Sequence, residues 1–321
     1  HLSFIRNMVK TFVLEVFMKN KLFIILGFLC MSTLLFAGGS KEGSTKQEKG
    51  REMYGYMVPA SVPQRTAVGQ VVLLQMLDML DVDIVARPST KREISARYKD
   101  KTEIGMPMRV DLEKLKEVNP DFYLATGDRG APIAEQLKAL NIPAEFLQTT
   151  TYTDILNSMK YLGEVYNKQK EAAAYVKKVE DVVAKVKAAN KNKKPLKVLI
   201  IAGFPNSMSI HTEGSFVGSL IKVLGAENIW KDNTVKNTTV PMNLELVKAS
   251  NPDIILLTSH GDAKDTAKMY EKEFQSDFWQ KIDAVKNKRY YSLDTRIFFI
   301  AGSPYIPEAL ETLGNYFYGS K

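Results

Sequence analysis

The sequence is poor in the residues that staple a fold or hold a metal. Its 321 residues include one cysteine, Cys30, and three histidines, His1, His211 and His260. One cysteine cannot pair within the chain, so a disulfide scaffold is excluded, and so is a cluster held by four thiolates. So few histidines argue against a bare Zn²⁺ or Mn²⁺ receptor, which wants three or more nitrogen and carboxylate ligands. No Gly-x-Gly-x-x-Gly, P-loop, His-Glu-x-x-His or nucleophile elbow occurs, which removes the usual signs of a nucleotide-binding, zincin or hydrolase enzyme. No uncharged run reaches the ~20 residues of a spanning helix. What is present is the composition of a folded protein. The chain is 45% hydrophobic, 10% aromatic and 25% charged, which excludes disorder and at this length suits two domains.

The net charge of +8 at first points to nucleic acid or a membrane surface, but part of it belongs to the leader. From Met18 the chain reads Lys19-Asn20-Lys21, an uncharged run Leu22–Ala37, then Gly38-Gly39-Ser40. A basic start, an apolar centre and a small-residue exit make a secretory signal peptide, with a one-span anchor as the alternative. Residues 1–17 read as an upstream extension, with Met18 as initiator. Cys30 is preceded by Phe28 and Leu29 rather than the small residues that lipidation wants, so it reads as a cysteine inside the leader. Removing residues 1–39 takes away Arg6, Lys10, Lys19, Lys21 and Glu15 and lowers the charge by three, to +5, with no cysteine left. That composition suits an oxidising exported compartment. The remaining lysines lie along helices without the interleaved aromatics of a nucleic-acid surface.

The most informative pattern is a repeat at an offset of 132. Asp111-Leu112-Glu113-Lys114-Leu115 through Asn119-Pro120-Asp121-Phe122-Tyr123-Leu124 matches Asn243-Leu244-Glu245-Leu246-Val247 through Asn251-Pro252-Asp253-Ile254-Ile255-Leu256. Each copy has an Asp or Asn helix cap, a short amphipathic helix stopped by Asn-Pro, and an apolar run typical of a buried parallel strand that ends at Thr126 or Thr258. Two similar α/β lobes follow from this. In the first, Val71–Leu80 reads as helix, Val82–Ala86 as strand, Ile133–Leu140 as helix and Ala144–Leu147 as strand. In the second, Lys197–Ala202 reads as strand, Phe216–Leu224 as helix, Arg289–Leu293 as strand and Pro307–Tyr318 as helix. Between them, Ile155 to about Asn190 lacks proline and has Val176, Val179, Val182, Val183 and Val186 at helical spacing, which predicts a single long helix. The expected fold is α/β: two Rossmann-like three-layer lobes joined by that helix. Its layout is an extension and leader over 1–39, a tether over 40–64, an N-terminal lobe over 65–152, connecting helices over 153–192 and a C-terminal lobe over 193–321.

On its own chemistry, His260 is the leading candidate for ligand binding, because it stands at the carboxyl end of a predicted buried parallel strand, where open α/β sheets hold ligands. His211, in a Met208–Glu213 hairpin, is expected to face solvent. Lys91 and Arg92 stand in a turn after the second strand, where charges are usually solvated, and a helix begins near Gly69 and Gln70. Ser215 and Phe216 begin a helix and offer either cleft contacts or an ordinary cap. Glu113 and Glu245 occupy equivalent first-turn positions, where a carboxylate also complements the helix dipole.

Across residues 65–319 the chain resembles the helical-backbone class of ABC-importer substrate-binding proteins, whose members capture siderophores, cobalamin, haem or metal ions. The Asp-Leu-Glu and Asn-Pro-Asp segments mark the class. Gly105-Met106-Pro107-Met108 and Ser259-His260-Gly261 resemble its haem receptors, with Thr212-Glu213-Gly214-Ser215-Phe216 as a further local match. The resemblance implies Met108 and His260 as axial ligands of haem iron, with Met106 as rival to Met108. It also implies propionate or cleft contacts from Lys91, Arg92, Gly69, Gln70, Ser215 and Phe216, and docking of Glu113 and Glu245 on permease arginines. The implied protein is a monomeric, non-enzymatic receptor, periplasmic or anchored to the outer face of the cytoplasmic membrane. Its partners are haem, an ABC permease with its ATPase, and an outer haem donor. A ferric-siderophore or cobalamin receptor, and a two-lobed α/β enzyme, are the alternatives.

Overall fold

The computed structural model describes residues 51–204, 207–231, 237–260 and 263–319. The extension, the leader with Cys30, and Gly261 lie outside the described residues.

Two sheets carry the fold. In the first, β3 (Thr66–Val68), β4 (Ala86–Arg87), β5 (Thr102–Glu103), β8 (Phe122–Thr126) and β9 (Ala144–Leu147) run parallel in the order β5-β4-β3-β8-β9. A short hairpin, β1 (Glu52–Met53) and β2 (Tyr56–Met57), precedes them, and a second hairpin, β6 (Gly105–Met106) and β7 (Arg109–Val110), follows β5. In the second sheet, β10 (Lys197–Phe204), β12 (Glu227–Asn228), β14 (Ile254–Ser259) and β15 (Tyr290–Ser292) are parallel, while β11 (Ser207–His211) pairs antiparallel with β10 and β13 (Thr239–Pro241) pairs antiparallel with β11. The helices are α1 (Val71–Met79), α2 (Leu112–Val118), α3 (Gly127–Ala139), α4 (Tyr152–Val165), α5 (Gln169–Asn190), α6 (Phe216–Val223), α7 (Leu244–Ser250), α8 (Ala263–Phe274), α9 (Asp283–Lys286) and α10 (Ile306–Tyr318). The chain is therefore mixed α/β with largely parallel sheets.

The repeat is carried by matching bonds. Asp111 and Asn243 cap α2 and α7 by accepting from the amides of Lys114 and Leu246. Asn119 and Asn251 end those helices in the left-handed region, at φ 49° and 41°. Asp121 then accepts from the amides of Gln64 and Arg65, and Asp253 from the amide of Lys197, which fastens the amino end of the central strand in each sheet. Arg65 donates to the carbonyls of Val118 and Asn119, while Lys197 donates to that of Ser250. The offset of 132 thus extends to Arg65 and Lys197. It does not extend to Met108 and Val240: Met108 is exposed at a hairpin tip, whereas Val240 is buried within β13.

The predicted single long helix is two. The chain breaks between Val165 and Gln169, where Asn167 takes φ 54°, and α4 packs against α5. The 22 residues of α5 rise ~33 Å. They bury Ala172, Val176, Val179, Val182 and Val186, as the apolar stripe required, with Val183 half-buried at its edge. One hydrophobic cluster runs from α1 and β8 through α4 and α5 into β10, α6 and α10. The strand expected over Val82–Ala86 shrinks to Ala86–Arg87, because Val82 and Ile84 enter that core from a loop.

Candidate functional site

Two bonds between the lobes join loops that lie beyond the carboxyl ends of parallel strands. Thr149, after β9, donates its hydroxyl to the Ala301 carbonyl (2.8 Å), and Arg92, beyond β4, donates to Thr295 O (2.9 Å). The Tyr152 amide donates to Ser219 Oγ at 2.8 Å. Gly302, at φ 90°, lies so close that an added Cβ would sit 1.9 Å from Thr149 O. The carboxyl-end loops of the two sheets therefore meet, and a ligand held between the lobes would contact these loops.

The Met106–Met108 segment belongs to this side. It follows β5, and Ser89, after β4, donates its amide to Gly105 O. Gly105 pairs with Val110 and Met106 with Arg109, which leaves Pro107-Met108 as a two-residue turn. Gly105 takes φ 90°, and a Cβ there would meet Arg109 O at 2.5 Å, so the turn requires glycine. Met106 is 59% and Met108 71% exposed. Two large apolar side chains at one tip are not core filler, and their thioethers are soft, accessible donors.

His260 directly follows β14. Its amide donates to Gly203 O at 2.8 Å, and its exposed ring lies 5.0 Å from that of Phe204. Residues 200, 202 and 204 of β10 share a face with 256, 258 and 260, because β10 and β14 pair in register. Phe204 was missed from sequence; the signal was that same alternation, continued two residues past Ala202. Arg109 was missed as well. It is exposed beside Met108 and opposite Met106.

The remaining candidates divide. Arg92 is half-buried, with its guanidinium 3.8 Å from the centre of the Phe299 ring besides its bond to Thr295. Burial lowers its pKa and Asp294 offsets part of the effect. Together with Glu93, Tyr98, Arg296 and Tyr305 it lines a crevice of about 390 Å³ at the lobe junction. Lys91 is exposed. The Gly69 amide is already donated to Leu124 O, and Gln70 Oε1 accepts from the Thr126 amide. No side chain caps α1, whose first-turn amides sit at the carboxyl end of β3. Ser215 is occupied as the cap of α6: its hydroxyl donates to Thr212 O and accepts from the Gly218 amide. Phe216 is 1% exposed and belongs to the core. Glu113 and Glu245 are exposed in the first turns of equivalent helices, and Glu113 pairs with Lys116 at 3.3 Å.

His211 corrects its expectation. It is 2% exposed, with Nε2 3.0 Å from Thr258 Oγ1, while Nδ1 has no partner of good geometry among the described residues. Burial pushes its pKa down to about 4, and the Thr238 backbone offsets only part of that. An unfolded histidine titrates near 6.5, so between that pH and about 4 the unfolded chain binds the extra proton. Stability should be full above that window and fall by up to about 3 kcal/mol as pH drops through it. Urea midpoints at about pH 7 and about pH 5 check this. The decline should flatten in His211→Gln.

The periplasmic binding protein family model matches residues 69–297. The chain belongs to this family. Among family relatives it is 32% identical over 286 residues to the high-affinity heme uptake system protein IsdE of Staphylococcus aureus, covering 88% of this chain and 94% of that one. Two solved structures of the family are similarly related. An ABC transporter substrate-binding protein from Listeria monocytogenes EGD-e matches with TM-score 0.72 and 33% identity, over 80% of this chain and 99% of its own. S. aureus IsdE complexed with heme matches with TM-score 0.70 and 34% identity, over 79% and 98%. S. aureus SirA complexed with staphyloferrin B, at TM-score 0.68 and 23% identity over 84% and 97%, shares the fold.

Proposed function

We propose that this protein is an exported haem receptor that holds one haem between its lobes and delivers it to an ABC importer. The reading rests above all on its kinship with IsdE across almost the whole length of that protein. The exposed methionine hairpin and the exposed histidine at the end of β14 support it, because they supply one ligand from each sheet. Met108 and His260 are the proposed axial ligands. A thioether and an imidazole complete six-coordination and raise the iron's potential, leaving no open position for oxygen chemistry. That suits a carrier which hands its ligand on unchanged and does no catalysis.

The first-turn amides of α1 and the side chains of Lys91 and Arg109 are the proposed propionate contacts. Arg92 reaches that role only by exchanging the Thr295 carbonyl for a carboxylate, an exchange that charge-assisted bonding favours. Gly69 contributes through its lack of a side chain, since a Cβ there would lie 2.3 Å from the Tyr123 hydroxyl. Glu113 and Glu245 are the proposed permease contacts. The proposed layout remains a leader over 1–39, a tether over 40–64, lobes over 65–152 and 193–321, and connecting helices over 153–192.

Titration with haem, followed by absorbance, tests the function. A sharp low-spin Soret band with resolved α and β bands, saturating at one equivalent, is expected. A protein that leaves the free-haem spectrum unchanged but takes up a ferric siderophore or cobalamin would replace this reading with the other ligand classes of the fold.

A further inference from the structure

The two ends of α5 differ in charge. From Lys185 to Lys197 the sequence reads Lys-Val-Lys-Ala-Ala-Asn-Lys-Asn-Lys-Lys-Pro-Leu-Lys, without an acidic residue. Lys185, Lys187, Lys191, Lys193 and Lys194 are all exposed. None of the five belongs to an ion pair among the described residues, unlike Lys177 earlier on the same helix, which pairs with Asp181 at 2.9 Å. Lys193 Nζ lies 4.9 Å from the centre of the half-exposed Tyr318 ring, so an amphipathic aromatic stands within the patch. Glu227, the acidic group that senses Lys194 and Lys197, is already paired with Lys231 at 2.9 Å.

Position gives this patch its meaning. Lys197 opens β10, so the lysines lie at the amino end of the second sheet. His260 lies beyond the other end of that sheet, a strand of eight residues away, or ~26 Å. At the opposite end of α5 the chain enters the fold: Arg51 pairs with Glu164 in the last turn of α4, Gln169 bonds the same carboxylate, and Tyr166 bonds Thr66 at the amino end of β3. The point where the polar tether arrives and the unpaired lysines therefore mark the two ends of one helix, both on the amino-end side of the sheets. The carboxyl-end loops carry the cleft, and Glu113 and Glu245 lie in the first turns of helices that run back from that side.

We propose that the lysine-bearing end of α5 rests on the anionic phospholipid surface beneath an exported protein, with the carboxyl-end loops left clear of it. The location rests on the proposed function; the surface chemistry does not. Each lysine near an anionic bilayer contributes a small attraction that salt removes, so several acting together are needed for retention. Permease docking through Glu113 and Glu245 uses the other side of the molecule. The lipid-held posture is then one of collection, and delivery requires leaving it.

The test is flotation of the full chain with two vesicle types, about 30% phosphatidylglycerol in phosphatidylcholine and phosphatidylcholine alone, at low salt and at about 0.5 M salt. The leader and extension carry their own basic residues, but parent, variant and control share them, so the comparison among the three isolates the lysine patch. Retention on anionic vesicles should exceed that on neutral ones at least ~10-fold at low salt and fall to parity at high salt. Replacing Lys185, Lys187, Lys191, Lys193 and Lys194 by Gln should also remove most of that preference, with the haem spectrum unchanged. A control that removes the same charge elsewhere, at Lys99, Lys138, Lys248, Lys268 and Lys272, should keep most of the preference. Equal loss in the control would reduce the effect to net charge and overturn the proposal. Retention by duplex DNA without preference for anionic vesicles would overturn it in favour of another polyanion.

Discussion

A His260→Ala protein titrated with haem should give a broad, high-spin spectrum and bind at least ~10-fold more weakly than the parent, because it lacks one of the two proposed axial ligands. His211 is no substitute, since its ring is buried and its Nε2 already faces Thr258. Met108→Leu keeps the apolar volume and removes only the sulfur, and it should produce the same change of spin state. Met106→Leu is the discriminating partner, because Met106 lies on the same hairpin and is nearly as exposed. If Met106→Leu changes the spectrum and Met108→Leu does not, the sulfur ligand is Met106. An unchanged spectrum in His260→Ala would remove the histidine from the site. All three residues are exposed, so their substitution should cost little stability, and loss of signal can be read as loss of ligation.

The second large effect is expected away from the haem. Reversing both carboxylates, as Glu113→Lys with Glu245→Lys, should leave the haem spectrum intact yet cut delivery to the permease at least ~10-fold, because the two proposed contacts would act as linked attachments and losing both would forfeit the advantage of linkage. Each single reversal should give a partial loss. The side chain of Glu113 is 82% exposed and its pair with Lys116 is solvent-screened, so neither the fold nor the helix depends on it beyond about 0.3–1 kcal/mol of dipole complementation. Haem transfer to vesicle-reconstituted importer, measured with stimulation of its ATPase, is the readout. Normal transfer by the double variant would move the docking surface elsewhere.

Much of this arrangement is legible in the residues because local chemistry and tertiary role agree. Asp111 and Asn243 are helix caps by residue type, and each is seen accepting from an amide three residues on. The Asn-Pro-Asp segments stop a helix and start a strand, and the aspartate then grips the neighbouring strand. Elsewhere local chemistry was silent. Nothing in Tyr166-Asn167-Lys168 breaks a helix outright, since asparagine tolerates both the helical and the left-handed region; packing of Gly163 against Ala172 accompanies the turn. The burial of His211 follows from β11 pairing between β10 and β13, a non-local event that no local pattern reports. Of the site, the strand-end position of His260 could be read from periodicity. The two-residue turn that displays Met108 needed the register of β6 and β7.

The paired aspartates have a further consequence. Asp121 and Asp253 fasten the central strands at the ends remote from the carboxyl-end loops, and the amide donors they accept from belong to the backbone rather than to particular side chains. Framework and recognition are thus written in different parts of each lobe. A hairpin or strand-end loop can be exchanged for one of another chemistry while the clamp that sets the strand's origin stays untouched. Such a scaffold can be re-aimed from one cargo to another one lobe at a time.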